Sequence, residues 1–375
     1  MTTVLLRWWA MMLAVLAVQI GNGLAGLTVS LRTESAGLDP LAMSLVIASF
    51  YAGQIAGPLL PPAIVGWSRL TPAYVAFTLL AGLSVAGFAV TDGTLAWIAL
   101  RFAQGFGMAA MFAVVESWLN LSTDDAWRAR TFAIYIMTQL VGLTLGQLGV
   151  NWGGADGTLA LTAAGILMGG SGLALILGRV AEPAVHGMAT LSPWALVRRA
   201  PGGAFAIAVS GLNWALIMGL GPIFAERMAL TRWEITVFMA LTIVGGLLSQ
   251  FPLGHWADHS SRARVMAAMG VAASILGLGA AAIPGGAVLA LWALAFAFGA
   301  MSFPLYAIAA SYVSESLDQS ERVAASAGMV LVFGVGATVA PLIGAQAMAL
   351  AGPSALFAVA AASFVAMAVS VGTRT

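Results

Sequence analysis

Apolar residues run along this chain in stretches that neither keep to one face at a helical period nor alternate. Twelve such stretches fall at roughly 8–29, 41–65, 72–91, 94–120, 131–151, 157–178, 204–225, 235–256, 264–283, 286–313, 323–349 and 352–371. A helix needs about 20 apolar residues to cross a bilayer, and most of these reach that length. Helices apolar on every side belong in lipid or in a large core. The gaps between them are short and hold nearly all the charge. The longest gap, 179–203, is rich in Arg, Pro and Gly and predicts a linker between two halves. The pattern therefore predicts an all-α integral membrane protein of 12 transmembrane helices, with a six-helix bundle over 1–180, a cytoplasmic linker over 181–203 and a second six-helix bundle over 204–375. The opening segment Met1–Ala25 has one basic residue followed by an apolar run, as a signal peptide would. The run continues to Val29, so a first spanning helix is the preferred reading.

The halves repeat. An offset of 192 places Phe106 and Gly107 on Phe298 and Gly299, Arg130 on Arg322, Met137 on Met329 and Gly142 on Gly334. Gln54 faces Gln250 at a slightly different offset. A parallel repeat of two six-helix halves is an arrangement of secondary transporters, with the solute near the membrane midplane.

Composition narrows the function classes. The 375 residues are 61% hydrophobic and 8% charged, against about 25% charged in a soluble domain. A net charge of +1 gives no case for nucleic-acid binding. All 15 basic residues are Arg; without Lys there is no phosphate-binding loop of the Gly-x-x-x-x-Gly-Lys-Ser/Thr kind, so energy must come from a gradient. The absence of Cys removes disulfides and thiolate chemistry. His186, His255 and His259 fall in or beside predicted loops, so no cofactor and no metal is expected, and no nucleophile constellation suggests an enzyme. Arg asymmetry sets direction, because cytoplasmic loops are enriched in basic residues. With the N-terminus inside, one side holds Arg7, Arg69, Arg128, Arg130, Arg179, Arg198, Arg199, Arg262, Arg264, Arg322 and Arg374, and the other holds Arg32, Arg227 and Arg232. Both termini are then cytoplasmic, in a bacterial inner membrane, and the chain is expected to be a monomer.

Five stretches carry a family resemblance. After the eighth span, Gly254-His255-Trp256-Ala257-Asp258-His259-Ser260-Ser261-Arg262-Ala263-Arg264 resembles the Gly-x-x-x-Asp-Arg-x-x-Arg-Arg signature of the major facilitator superfamily. Gly254 is expected to allow close helix approach, and Asp258, Arg262 and Arg264 to form a cytoplasmic charge cluster that breaks between conformations. In the fourth span, Arg101-Phe102-Ala103-Gln104-Gly105-Phe106-Gly107 is similar to the family's Arg-x-x-x-Gly-x-Gly pattern. In the eleventh, Gly334-Val335-Gly336 with Pro341 and Gly344 resembles its Gly/Pro-rich packing motif, with Gly142, Gly146 and Gly149 as counterpart. Glu116-Ser117-Trp118-Leu119-Asn120 and Val65-Gly66-Trp67-Ser68-Arg69 are similar to a bacterial branch of the superfamily, the YcaD-like proteins. The resemblance implies a secondary transporter of a small solute working by alternating access, with proton coupling as the family's default. A non-transporting assembly or sensor protein on the same fold is the alternative.

One departure stands out. The loop after the second span keeps Arg69 but lacks the signature Asp. The expectation is that Glu116 replaces it and pairs with Arg69 as a latch. Glu116 is also the clearest span carboxylate for carrying a proton, but it lies 15 residues from Arg101, about 22 Å along a helix. Arg101 itself sits about 9 Å inside its span. A charge at that depth faces a cavity or a partner. Candidate cavity residues are Arg101 and Gln104, Gln19 and Asn22 one turn apart, Tyr135 and Gln139 on one face, Asn213, Trp214 and Tyr306. Each has interhelical hydrogen bonding as its rival role. Candidate conformational residues are Gly254, Asp258, Arg262, Arg264, Glu116, Arg69 and Arg130. A positive point among amides and aromatics favours an anionic or zwitterionic solute.

Overall fold

The computed structural model describes residues 2–59, 69–123, 125–152, 157–178, 180, 182–183, 197–315 and 319–372, with side chains from Trp8 onward except at 125–126, 128–129, 152 and 319–327. Val65 to Ser68, His186, most of the expected linker and the side chains of Arg7, Arg128, Arg179, Arg322 and Arg374 lie outside the described residues.

Twelve described helices are long and apolar enough to cross a membrane, so the spans read from the apolar runs are present in number and order. They are α1 (Thr2–Ser35), α2 (Pro40–Ala56, with a 3-10 turn Gly57–Leu59), α3 (Leu70–Val90), α4 (Thr94–Ser122), α5 (Asp125–Gly149) and α6 (Thr158–Gly170 continued by Gly172–Gly178). The second half follows with α7 (Pro201–Ala215, a π-helical segment Leu216–Leu220, then Gly221–Arg227), α8 (Arg232–Asp258), α9 (Arg262–Gly279), α10 (Val288–Ser302 and Leu305–Glu315), α11 (Gln319–Ala351) and α12 (Ala355–Gly372). Helices are the natural solution, because hydrocarbon offers no partner to a backbone amide or carbonyl. Large apolar side chains such as Leu83, Leu95, Phe251 and Leu350 stand outward and exposed, as a lipid-facing surface requires.

Irregularities sit where the sequence puts them. Pro304 separates the two parts of α10, since proline removes a hydrogen bond and its ring clashes with the preceding turn. Thr231 and Glu234 close a capping box at the start of α8: Glu234 Oε2 accepts from Thr231 N at 2.8 Å, and the Thr231 hydroxyl accepts from Glu234 N. Thr-x-x-Glu at this spacing is a local signature of a helix start.

The chain divides into two compact units, Met1–Arg32 with Ser49–Met188, and Thr33–Ala48 with Ala189–Thr375. Within each unit the helices meet through glycines. In the first, a Cβ on Gly53 would strike Phe102 O and one on Gly105 would strike Phe50 O, so α2 and α4 touch backbone to backbone. Gly23 and Gly146 do the same for α1 and α5, against Leu143 O and Ile20 O. In the second unit, Gly245 and Gly299 join α8 to α10, and Gly211 and Gly336 join α7 to α11. The reciprocal pairs repeat between units, Gly53 and Gly245 at the offset of 192. Small residues at such crossings let van der Waals packing hold helices that no hydrophobic force drives together in lipid. Gly254 is a correction: an added Cβ there meets nothing within 4 Å, so it permits no close approach.

Candidate functional site

The Arg-x-x-x-Gly-x-Gly stretch accounts for the first polar centre. Its glycines bring α2 against α4, so that Phe50 of α2 lies beneath Arg101 of α4, with the guanidinium carbon 4.4 Å from the ring centroid. This is cation–π geometry in a site shielded from water, where the attraction is strongest. Arg101 is 5% exposed and Gln104, one turn on, 1%. Arg101 Nη1 donates to Gln104 Oε1 at 2.7 Å, which turns the Gln104 amide nitrogen away as a free donor. Arg101 Nε and Gln104 Nε2 are both buried, and neither has a partner among the described residues. Among the described residues no carboxylate pairs with this arginine. The centre therefore offers one positive charge and two spare donors, a setting for an acceptor.

A second chain of amides joins α1 to α5. Asn22 Nδ2 donates to Gln19 Oε1 at 3.2 Å, and Gln19 Nε2 donates to Gln139 Oε1 at 3.2 Å. The backbones are close enough because of the Gly23 and Gly146 crossing. Three of the expected cavity residues thus come together, bonded to one another. Tyr135, on the same face as Gln139, goes elsewhere. It is 2% exposed and its hydroxyl donates to Glu116 Oε1 at 3.3 Å.

That contact corrects the expected latch. Arg69 pairs with Glu182, Nε to Oε2 at 3.5 Å, and Glu116 takes Tyr135 instead. The carboxylate missing from the loop after α2 is supplied from beyond α6. Glu182 also accepts from Leu70 N at 3.1 Å and from the Thr71 hydroxyl at 2.6 Å, so it caps the first turn of α3, where free backbone N–H groups and the helix dipole favour an anion. Nothing in local sequence marks Glu182 for this; the role exists only because the chain returns there.

In the second unit, Asn213 lies fully buried in α7. Its Nδ2 donates to Val209 O at 2.9 Å and to the Ser363 hydroxyl of α12 at 3.0 Å. Its Oδ1 is buried without a partner among the described residues. Trp214 packs on Phe303 with ring centroids 4.8 Å apart, and Tyr306 meets Phe333 edge to face at 5.4 Å. At the end of α8, Arg262 Nη2 lies 3.1 Å from Asp258 Oδ1, and Arg262 Nη1 pairs with Glu315 at the end of α10. The expected cluster is therefore Asp258, Arg262 and Glu315. Arg264 is exposed and makes no ion pair among the described residues, which corrects its expected membership. Arg130 in the first unit stacks on Trp127 at 5.1 Å.

Comparison with known proteins fits this architecture. The sequence model of the Major Facilitator Superfamily matches residues 203–374. Proteins named uncharacterized MFS-type transporter YcaD, from Shigella flexneri and from Escherichia coli, are 28% identical over 332 residues, covering 86% of this chain and 84% of each relative. Among solved structures, the nucleoside transporter NupG superposes with a TM-score of 0.78 at 13% identity, over 97% of this chain and 98% of that one. A bacterial homologue of the human lysosomal transporter Spinster, inward-facing and occupied, gives 0.72 at 13% identity, over 98% and 94%. The second half of the chain thus matches the model of the Major Facilitator Superfamily, most of its length is similar to the YcaD proteins, and its twelve-span fold is that of these solved transporters.

Proposed function

We propose that the protein is a secondary transporter that moves a small anionic or zwitterionic solute across the bacterial inner membrane by alternating access. The observation that carries this reading is the Arg101 and Gln104 centre. Arg101 Nε and the Gln104 amide nitrogen are both buried in a span with no acceptor among the described residues, and leaving such donors unpaired is costly. A carboxylate or phosphate on the solute would satisfy both, and arginine's planar fork suits either. The amide chain of Asn22, Gln19 and Gln139 supports the reading as a second group of polar side chains within spans of the same unit. Asn213, Trp214 and Tyr306 supply the candidate contacts from the second unit.

Orientation follows the Arg asymmetry, with both termini cytoplasmic. The Asp258, Arg262 and Glu315 cluster then lies on the cytoplasmic side, where it would hold one state and break in the other. Proton coupling, if the carrier uses it, falls to Glu116. Its release from the expected Arg69 pair leaves a carboxylate bonded to a neutral phenol.

The test is a thermal-shift screen of purified protein against small carboxylates, phosphates, amino acids and neutral controls, repeated on Arg101→Ala and Arg101→Lys. Stabilisation by acids that vanishes in Arg101→Ala and weakens in Arg101→Lys supports the site. A stabilising ligand indifferent to both changes removes it.

A further inference from the structure

The apolar pattern ends the eighth span near Trp256 and leaves His255 and His259 to a loop. The structure carries α8 on to Asp258, so His255 lies in its last turn and His259 is its C-terminal cap. Side chains four positions apart on a helix stand one above the other on the same face. The two imidazoles meet there, with ring centroids 4.2 Å apart and planes at 43°. Both are exposed, while Ala257 between them turns inward and is buried.

His-x-x-x-His on one helix face is how a helix supplies two ligands to zinc. The ring nitrogens are set for that role. His259 Nδ1 lies 2.9 Å from His255 O. A carbonyl only accepts, so Nδ1 carries the proton and Nε2 keeps its lone pair. Metal-binding histidines are commonly held this way, with one nitrogen on a backbone carbonyl and the other turned to the ion. The His255 carbonyl also accepts from His259 N at 3.2 Å, and the Ser260 hydroxyl donates to Trp256 O at 2.7 Å. These bonds fix the helix end on which both rings stand. Two nitrogens about 2.1 Å from one ion stand roughly 3.0–3.4 Å apart, a spacing that rings this close reach by small side-chain rotations. Imidazole suits Cu²⁺, Ni²⁺ and Zn²⁺, whereas Mg²⁺ and Ca²⁺ take oxygen ligands. Among the described residues no group of three or more His, Cys, Asp or Glu side chains is placed to hold a metal. Water fills the remaining positions, and the ion exchanges rather than holding the fold as closed four-ligand sites do.

The charges around the pair are Asp258, its partner Arg262, and Glu315, which reaches Arg262 from α10. We propose that His255 and His259 form a two-nitrogen site for a divalent transition-metal ion at the end of α8, and that the bound ion loosens the Asp258–Arg262 pair. Two positive charges in the same turn compete with the guanidinium for the Asp258 carboxylate. Metal at this membrane face thereby biases the cluster that ties α8 to α9 and α10. Metal binding itself does not rest on the transport reading.

The test titrates Cu²⁺ into the full-length protein, freed of any affinity tag, in detergent and a buffer without amines or chelators. Electron paramagnetic resonance should show one equivalent bound through two nitrogens. His255→Ala and His259→Ala should each lower the affinity by about 100-fold, the scale of a lost chelate, and leave at most one nitrogen on the copper. His186→Ala, which changes the chain's remaining histidine, should bind as the parent does. Asp258→Asn should weaken binding by about 2- to 5-fold, and Arg262→Ala should strengthen it on the same scale, that of an exposed charge. Elution as a single monodisperse peak checks that each variant is folded. No saturable binding in the parent, a single nitrogen on its copper, or unchanged affinity in the His255 and His259 variants overturns the site. Unchanged affinity in Asp258→Asn and Arg262→Ala overturns its link to the charge cluster.

Discussion

Replacing Gly107 by alanine tests whether backbone proximity, rather than apolar composition, holds the first unit together. A Cβ built on Gly107 would lie 2.7 Å from Phe77 O, 3.1 Å from Ala81 N and 3.3 Å from Ala81 Cβ. Ordinary carbon–oxygen contacts between helices begin at about 3.3 Å, so α3 and α4 must part by roughly 0.6 Å at their crossing. The obstacle is backbone, which cannot swing aside as a side chain can. Overpacking of this kind costs about 1–3 kcal/mol, and alanine's better helix propensity returns up to about 1 kcal/mol. The net expectation is a loss of about 1–2 kcal/mol. Gly254→Ala is the matched control. It also lies inside a helix, but nothing stands within 4 Å of its new Cβ, so only the propensity gain remains, about 0.5–1 kcal/mol. Gly105→Ala should be the most damaging of the three, because its Cβ would enter the Phe50 carbonyl and displace the ring beneath Arg101. Thermal unfolding in detergent can be followed through the 12 tryptophans, at a fixed scan rate because unfolding of such proteins is often irreversible. The order of stability should be Gly254→Ala highest, then the parent, Gly107→Ala and Gly105→Ala, with shifts on the order of 2 °C per kcal/mol. If Gly107→Ala unfolds at or above the temperature of Gly254→Ala, the packing argument is wrong.

Glu182→Gln should weaken the start of α3 by about 1 kcal/mol, read as faster amide exchange over residues 70–74, whereas Arg69→Ala should change little because its side chain is 81% exposed. Arg69→Ala and Glu116→Ala should be additive in unfolding temperature; a coupling above about 0.5 kcal/mol would restore the latch that the structure replaces. Arg262 and Glu315 should couple in a double-mutant cycle by about 0.5–1 kcal/mol, while Arg264→Ala combined with either should be additive.

How much of the fold and the site is legible in the sequence depends on the range of the interaction. Arg101 and Gln104 stand one turn apart, so their pairing is a local consequence of helical spacing. Asp258 and Arg262 are the same case, and so is the Thr231 and Glu234 cap. Gln19 and Gln139 can be named as polar residues within spans, but not as partners, because they lie 120 positions apart. Arg69 shows the failure most plainly. Sequence offers Glu116 as the nearest carboxylate at the same membrane depth, and the fold chooses Glu182, 113 residues away along the chain. Glu34 and Arg227 read only as charges near loop ends.

The sequence by itself determined the twelve spans, their order, the two-half repeat and the small residues at helix crossings. Lipid makes these choices compulsory: a span must be apolar, helical and about 20 residues long, and close helices need glycine. Only the tertiary structure decided which charge meets which. Coulomb attraction and hydrogen bonds depend on separation in space, and any of several carboxylates near a membrane face could have served each arginine. That is why the helices can be counted from the chain alone, while Arg69 finds Glu182, Arg227 finds Glu34 and Arg262 finds its second partner Glu315 only in the fold.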